Sequence, residues 1–240
     1  MRLVVKFGDI CIGMDASYAF LPHFCRAYIY DGTPAFWVTA SQEEIDEQLH
    51  TEGCGFSAGY AEALCLHRKI AEKIPFYGSA VFHGAAISYQ GKAYLFTAPS
   101  GTGKSTHIRL WQRYLGKPVG IINGDKPILS FSDSGITVCG TPYAGKEGWQ
   151  ANVQLPLGGI CILSQSPKNT IVPLSPSECM LPLLQQIYRP EDRAAMAKTL
   201  TFVDQLCRQP IYHLACSISE DAVRQSFSAM TGLSYEECHI

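Results

Sequence analysis

The hydrophobic and polar positions of the N-terminal third alternate between strand-like and helical patterns. Residues 2–12 alternate as a strand does, and the aromatic-rich run at 27–38 predicts further hairpin elements. Residues 58–74 carry apolar side chains at helical spacing, and Pro75 ends this predicted helix. We therefore expect a small N-terminal α+β region over residues 1–76.

The pattern from residue 77 to residue 240 is that of an α/β domain, in which short apolar runs alternate with amphipathic ones. The Gln90-Gly91 dipeptide predicts a hairpin turn between the first two strands of this domain. The predicted strands are 81–88, 92–97, 119–122, 136–139, 160–163 and 211–216, and the predicted helices are 106–115, 177–188, 191–207 and 220–230.

A glycine-rich segment joins the predicted strand at 92–97 to the helix at 106–115. It reads Ala98-Pro99-Ser100-Gly101-Thr102-Gly103-Lys104-Ser105 and matches the Walker A pattern, with alanine in place of the first glycine. Small residues let consecutive backbone N–H groups turn towards phosphate oxygens, and the helix N-terminus adds its positive dipole end. In this pattern Lys104 reaches the β- and γ-phosphates, and the Ser105 hydroxyl ligates magnesium. The predicted ligands of ATP, or of another nucleoside triphosphate with Mg²⁺, are Ser100, Gly101, Thr102, Gly103, Lys104, Ser105 and Thr106.

Two further candidates flank this segment. Asp125 follows the predicted strand at 119–122, at a sheet edge where ligands gather, and is our candidate magnesium ligand and general base. Its alternative is a turn residue that caps the backbone. His83 is predicted on the strand before the loop strand, where an imidazole relays a proton or holds Asp125 in place. Its alternative is an ordinary core histidine.

Two cations complete the candidate set. Lys146 lies in the turn-rich segment 140–148. If this segment closes over the site, Lys146 would contact the transferring phosphoryl group. A solvated surface loop is the alternative. Arg189, before Pro190, either contacts an anionic group or is an ordinary surface residue. The catalytic candidates are His83, Lys104, Asp125 and Lys146.

Composition narrows the classes of function. The 240 residues are 47% hydrophobic and 17% charged, which is typical of a globular protein. The 19 basic and 21 acidic side chains are interspersed, so we expect no nucleic-acid partner. No run is long and apolar enough to span a bilayer, and no signal-like segment opens the chain, so we expect a cytoplasmic protein without membrane contact. The ten cysteines lack a C-x-x-C pair, which predicts buried free thiols.

The run from His83 through Ser100–Ser105 to Asp125 resembles the HPr kinase/phosphorylase family and its short relatives, which share the P-loop fold of phosphoenolpyruvate carboxykinase. The resemblance covers residues 79–230 and implies that fold, ATP, magnesium and a hydroxyl acceptor. In the family an Asp-Asp pair follows the loop, and one acid activates the serine hydroxyl while the other helps to hold the metal. This chain keeps one acid, which either serves both roles or leaves a protein that binds nucleotide without transferring phosphate.

We therefore predict an α/β protein with a P-loop nucleotide-binding core of the HPr kinase type and a small N-terminal α+β extension. The predicted function is a kinase that transfers the γ-phosphate of ATP to a hydroxyl of a peptide, a protein or a small molecule. The alternative is a nucleotide-binding regulator that has lost catalysis. A decarboxylating carboxykinase shares the loop sequence, but such enzymes are much longer. The N-terminal region would recognise the acceptor or make homo-oligomer contacts.

Overall fold

The chain folds as a mixed α/β protein in the computed structural model, which describes residues 1–52 and 55–239. The described strands are β1 Arg2–Phe7, β2 Ile10–Asp15, β3 Phe36–Thr39, β4 Ser79–Val81, β5 Ala85–Tyr89, β6 Lys92–Thr97, β7 Gly120–Asn123, β8 Ile128–Ser132, β9 Gly135–Cys139, β10 Gln154–Gln165, β11 Thr170–Pro173 and β12 Ile211–Cys216. The described α-helices are α1 Phe20–Phe24, α2 Gln42–Glu52, α3 Ala58–Lys73, α4 Lys104–Leu115, α5 Pro176–Gln186, α6 Arg193–Leu206 and α7 Glu220–Thr231.

The strands of the described chain form a small and a large sheet. The small sheet has the order β1-β2-β3, in which β1 and β2 are antiparallel and β3 is parallel to β2. The large sheet has the order β4-β8-β9-β10-β6-β5-β7, and β12 pairs with both β10 and β11. Because β10 is parallel to β6 and to β12, the carboxyl ends of these three strands lie at one edge of the sheet.

Both faces of the large sheet are covered by helices, as the apolar character of its strands requires. On one face, Leu183 of α5 and Phe202 of α6 pack against β6 and β10. On the other face, Trp111 of α4 and Phe227 of α7 pack in a cluster with Phe96 of β6. The sheet edge between these helix layers is therefore held rigidly from both sides.

A third core cluster fills the N-terminal part of the chain. It joins the small sheet to α3 through side chains such as Met14 and Leu66. The same cluster also takes in Val81, Ile128 and Tyr143, which belong to the large-sheet part of the chain. The N-terminal part therefore packs directly against the region that follows it.

Most predicted elements of residues 77–240 are confirmed with small shifts at their ends, and the helix predicted at 58–74 is α3. The strand expected at 160–163 belongs to the longer β10, which spans Gln154–Gln165. The N-terminal hairpin prediction was right in kind but wrong in extent. The hairpin is β1 and β2, turning at Gly8 with a φ of 60°, whereas residues 27–38 contribute the start of β3 and a single bridge from Ile29 to Val5. Helices α1 and α2 and strands β8 and β11 were not predicted.

The predicted strand at 81–88 was wrong, because the segment forms two strands in different parts of the large sheet. β4 pairs with β8, whereas β5 pairs with β6 and β7. Between them the His83 N–H donates to the Gln186 carbonyl at 2.7 Å, and the Gly84 N–H donates to the Asp125 carbonyl at 2.9 Å. His83 therefore lies in the break between two strands, where these backbone bonds turn the chain out of the sheet.

Two other expectations concern the chain as a whole. The eight cysteines whose side chains are described are all free thiols, as predicted, and six of them are buried. Within residues 1–52 and 55–239, no helix has both the length and the apolar character that a bilayer crossing requires.

Candidate active site at one edge of the large sheet

Sheet topology brings three chain segments to the same edge of the large sheet. β6 ends there, and the loop of residues 98–103, the glycine loop, follows it. β5 runs antiparallel to both β6 and β7, so its first residue lies beside the last residues of those two strands. His83, just before β5, and Asp125, just after β7, therefore lie next to the glycine loop. The carboxyl ends of parallel strands are the usual ligand-binding edge of such sheets.

The glycine loop has the backbone conformation that its sequence predicts. Gly101 and Gly103 have φ angles of 79° and 119°, which L-residues rarely adopt. A Cβ atom at either glycine would meet nothing within 4 Å. Glycine is therefore required here by the backbone conformation and not by a lack of space. Thr102 stabilises the turn, since its hydroxyl donates to the Pro99 carbonyl at 2.9 Å.

Helix α4 begins directly at Lys104, two residues earlier than predicted. Its N-cap is Gly103, which has no side chain to accept from the first-turn N–H groups. Helices α3, α6 and α7 differ, because a side chain caps each of them, namely Ser57, Asp192 and Ser219. The start of α4 therefore presents backbone donors and the positive end of the helix dipole to the adjoining cleft.

Lys104 lies folded beneath the glycine loop. Its Nζ donates to the Ala98 carbonyl at 2.9 Å and to the Pro99 carbonyl at 3.4 Å, and the residue is only 9% exposed. Burial lowers the pKa of this ammonium, and the negative charge of Asp125 opposes that shift. The loop carbonyls thus hold a cation at the base of the cleft.

Asp125 is oriented by a residue that sequence reasoning missed. The fully buried Asn123 accepts at its Oδ1 from the backbone N–H groups of Asp125 at 2.8 Å and Lys126 at 2.7 Å. Its Nδ2 donates to the carbonyl of Thr141 at 2.9 Å. Because Asn123 caps this turn, the Asp125 carboxylate remains available to the cleft. An Asn two residues before a candidate acid was the signal in the sequence.

The Asp125 carboxylate lies between two basic side chains. Its Oδ2 is 3.0 Å from Lys126 Nζ, and its Oδ1 is 3.5 Å from His83 Nε2. His83 Nδ1 is 3.0 Å from Gln186 Oε1, and with the N–H on Nδ1 the second nitrogen of a neutral imidazole faces Asp125. The pKa of His83 is lowered, first by burial and then by the charge of Lys104. In that tautomer Nε2 and the Asp125 carboxylate are both acceptors, so each is free to take a proton from a group that enters between them.

One cleft of about 430 Å³, the loop cleft, collects nearly all of the predicted site residues. Its lining includes His83, Ser100, Gly101, Gly103, Lys104, Ser105, Thr106, Asp125 and Lys146. Thr102 is the exception, since it lines the neighbouring cleft instead. Arg189 is exposed and does not line the loop cleft.

Lys146 and Glu147 form the exposed rim of the loop cleft. Gly145 keeps this rim close to the catalytic candidates, because its φ is 73° and a Cβ there would come within 3.0 Å of the Asp125 Cβ. Glu147 is a carboxylate that sequence reasoning did not select, although it lies next to the predicted Lys146. Among the described residues, His, Cys, Asp and Glu side chains nowhere cluster in threes as a dedicated metal site would require.

A larger cleft of about 580 Å³, the apolar cleft, lies on the other side of the glycine loop and was not predicted. It shares Gly101, Gly103 and Thr106 with the loop cleft. Its walls are mainly apolar, from Leu110, Leu163 and Ile218 among others. The Gln165 side chain ties the end of β10 to the glycine loop, since its Nε2 donates to the Thr102 carbonyl at 3.2 Å. These residues come from α4 and from the ends of β10 and β12, far apart in the sequence.

Comparison with known proteins gives little support to any family. No protein-family model matches this sequence, and no curated protein is detectably similar to it. One solved structure that resembles the chain is the Hpr(Ser) kinase/phosphatase from Coxiella burnetii, with a TM-score of 0.28 and 11% identity over 52% of this chain and 90% of that one. A similarity of that size transfers neither a fold type nor an activity.

Proposed function

We propose that this protein binds a nucleoside triphosphate with magnesium at the glycine loop and transfers its γ-phosphate to a hydroxyl group. The observation that carries this proposal is that Lys104, Asp125 and His83 line one cleft together with the uncapped start of α4. Phosphoryl transfer requires mainly positioning and stabilisation of charge, and these groups supply both. A P-loop core of the HPr kinase type is the fold that this proposal implies.

The triphosphate would lie along the glycine loop, where the first-turn N–H groups of α4 donate to phosphate oxygens. Lys104 Nζ, which already donates to loop carbonyls, would turn to the β- and γ-phosphates. The nucleoside would extend into the apolar cleft, because Leu110, Leu163 and Ile218 offer the apolar contact that a base requires. Both clefts border Gly101 and Gly103, so one ligand can occupy both.

The donors for magnesium fit the ion. Ser105 and Asp125 line the same cleft and offer oxygen atoms, which Mg²⁺ prefers, and Mg²⁺ in such sites takes few protein ligands beside phosphate and water. When bound, the ion would neutralise charge on the β- and γ-phosphates. Asp125, positioned by Asn123, would accept the proton of the acceptor hydroxyl, with His83 Nε2 as its neighbour 3.5 Å away.

The test is single-turnover transfer from γ-labelled ATP with Mg²⁺ to pools of serine peptides and of small hydroxyl compounds. Asp125→Asn should lower the transfer rate by about 10²- to 10⁴-fold, the usual contribution of a general base. Asp133→Asn, at an exposed turn, is the matched control and should keep the full rate. Equal rates in the two variants would remove Asp125 from the mechanism.

A nucleotide-binding regulator is the second candidate. It is favoured by the ion pair between Asp125 and Lys126 and by the exposure of Glu147, the other carboxylate that lines the loop cleft. A regulator would bind ATP in a Lys104-dependent way and transfer phosphate to no pool. The same experiment therefore separates the two functions, because turnover occurs only in the kinase.

A further inference from the structure

A third cleft, of about 300 Å³, lies on the opposite side of His83 from the glycine loop. It is bounded by α3, by the break between β4 and β5 and by the C-terminal end of α5. His83 lines both this cleft and the loop cleft, so it forms the border between them. We call it the cationic cleft, after the side chains of Arg68 and Lys126 in its lining.

The charges in the cationic cleft are all of one sign. Neither Asp nor Glu is among its described lining residues. The Arg68 guanidinium contacts the neutral side chain of Gln48, and no described carboxylate lies within 4 Å of it. Glu72, one turn further along α3, instead accepts from the Tyr188 hydroxyl at 2.8 Å and from a backbone N–H. Lys126 is paired with Asp125 at the border of the cleft, so the Arg68 charge is the one without a carboxylate partner among the described residues, and an anion is the ligand that would neutralise it.

His67 gives the cationic cleft an unused polar atom. It lines the cleft, is only 9% exposed, and its Nε2 has no hydrogen-bond partner among the described residues. Burial and the charge of Lys126 lower its pKa to about 3, so the ring is neutral at pH 7. Buried polar atoms in native proteins nearly always have a partner. The atom is closed off from the cleft as the ring now lies, so an oxygen of a bound ligand would pair with it after a small movement of the ring.

The position and size of the cleft indicate what that ligand is. Lys126 lies between the two clefts, because its Nζ is 3.0 Å from Asp125 Oδ2 while the residue lines the cationic cleft. If Arg68 and Lys126 hold the anionic group of a ligand, the rest of that ligand would therefore lie next to Asp125 and His83. A volume of 300 Å³ is at the small end of ligand pockets and suits a metabolite better than a protein segment.

We propose that the cationic cleft binds the phosphate acceptor, and that this acceptor is a small molecule with a hydroxyl next to a carboxylate or phosphate group. This inference rests on the proposed function. Arg68 and Lys126 hold the anionic group, and His67 Nε2 contacts one of its oxygen atoms or a neighbouring hydroxyl. The acceptor oxygen bonds to the γ-phosphorus, the bond from that phosphorus to the β–γ bridging oxygen breaks, and the nucleoside diphosphate leaves with the electron pair. The hydroxyl proton goes to Asp125.

The first experiment compares acceptors that differ in charge. D-Glycerate and glycerol 3-phosphate are the anionic probes, glycerol is the neutral one, and a serine peptide is the macromolecular one, all with γ-labelled ATP and Mg²⁺. We expect kcat/KM for at least one anionic probe to exceed that for glycerol by about 100-fold, which is the effect of two charge-assisted contacts. A preference for glycerol or for the peptide would overturn the inference and leave the proposed kinase activity intact.

The second experiment uses Arg68→Gln with Arg113→Gln, an exposed arginine of α4, as its matched control. Arg68→Gln should raise KM for the preferred anionic probe about 10-fold or more while kcat, ATP affinity and KM for glycerol stay unchanged. Calorimetric titration of the same probe without ATP should show the same loss of affinity. Unchanged affinity for the anionic probe in Arg68→Gln would overturn the inference. If the wild-type protein does not bind ATP at all, the proposed function is overturned instead.

Discussion

The loop cleft and the cationic cleft share His83 but are built in different ways. Half of the residues that line the loop cleft come from one continuous segment, Ser100 to Thr106, and Asp125 follows directly after the next strand. The cationic cleft takes its side chains from α2, α3, the β4–β5 break, the start of the segment after β7 and the end of α5. The first site is local in sequence, whereas the second exists only when distant elements pack together.

The two clefts also differ in how well their polar groups are satisfied. In the loop cleft Lys104 Nζ has two carbonyl partners, and the Asp125 carboxylate has Lys126 and His83 nearby. In the cationic cleft His67 Nε2 has no partner among the described residues. The loop cleft is therefore preorganised before any ligand arrives, whereas the cationic cleft has bonding capacity in reserve.

The largest effect should come from Lys104→Ala. In the proposed kinase Lys104 would contact the transferring phosphate, so removing this buried cation should lower single-turnover transfer by about 10³-fold, by analogy with other transition-state donors. Folding should survive, because the change also removes a buried charge. Lys117→Ala, an exposed lysine beyond the other end of α4, should retain full transfer. A loss below tenfold in Lys104→Ala would show that the preorganised loop cleft does not hold the reacting phosphate.

This difference between the clefts explains what the sequence could predict. The glycine loop follows from the adjacency of β6, two glycines and α4, and its residues were predicted by pattern alone. Asp125 was predicted from its position after an apolar run, but Asn123, which orients it, was not selected. Arg68 and His67 carry no readable motif, because their role depends on the packing of α3 against segments that include α2, the break between β4 and β5 and the end of α5. His83 lines the same cleft as the glycine loop but was predicted on the wrong element, since the break in its strand is set by backbone bonds to Gln186 and Asp125.

The second prediction compares the effect of acid on two buried histidines, His67 of the cationic cleft and His107 of the apolar cleft. Burial lowers the pKa of His67 to about 3 and that of His107, in the apolar cleft, to about 4, from an ordinary value of 6.5. The unfolded chain therefore binds more protons below pH 6.5, so stability falls as the pH falls through this window. Each histidine should lower the free energy of unfolding by about 2 kcal/mol between pH 8 and pH 5.

Urea denaturation at the two pH values, on His67→Leu and His107→Leu, measures this effect. In each variant the free energy of unfolding should change between pH 8 and pH 5 by about 2 kcal/mol less than in the wild type. The exposed His50→Gln is the control and should change by as much as the wild type. At pH 8 the variants should diverge. His107→Leu removes a bond to Ser226 Oγ and should destabilise by about 1 kcal/mol, but His67→Leu removes an unpartnered atom and should not. Equal destabilisation at pH 8 would contradict the view that the cationic cleft holds an unsatisfied group.

The smallest effect concerns the boundary between the loop cleft and the apolar cleft. Ile218 is 78% exposed at the mouth of the apolar cleft, so Ile218→Asp should leave the fold unchanged while it repels an apolar base. We expect the Kd for ATP to rise about tenfold, a change of about 1.4 kcal/mol. Leu181→Asp, at an exposed apolar position of α5 that is 62% exposed, is the control and should leave this Kd unchanged.

Inorganic tripolyphosphate, which has no nucleoside, shows where the Ile218→Asp substitution acts. In the proposed binding mode its affinity would depend on Lys104 and on the N–H groups of α4, which the substitution does not touch, so it should be unchanged in Ile218→Asp. If ATP alone is weakened, the apolar cleft holds the nucleoside and the loop cleft holds the phosphates. If both ligands are weakened equally, the new charge acts on the phosphates through space, and the nucleoside must be sought on the other side of the glycine loop.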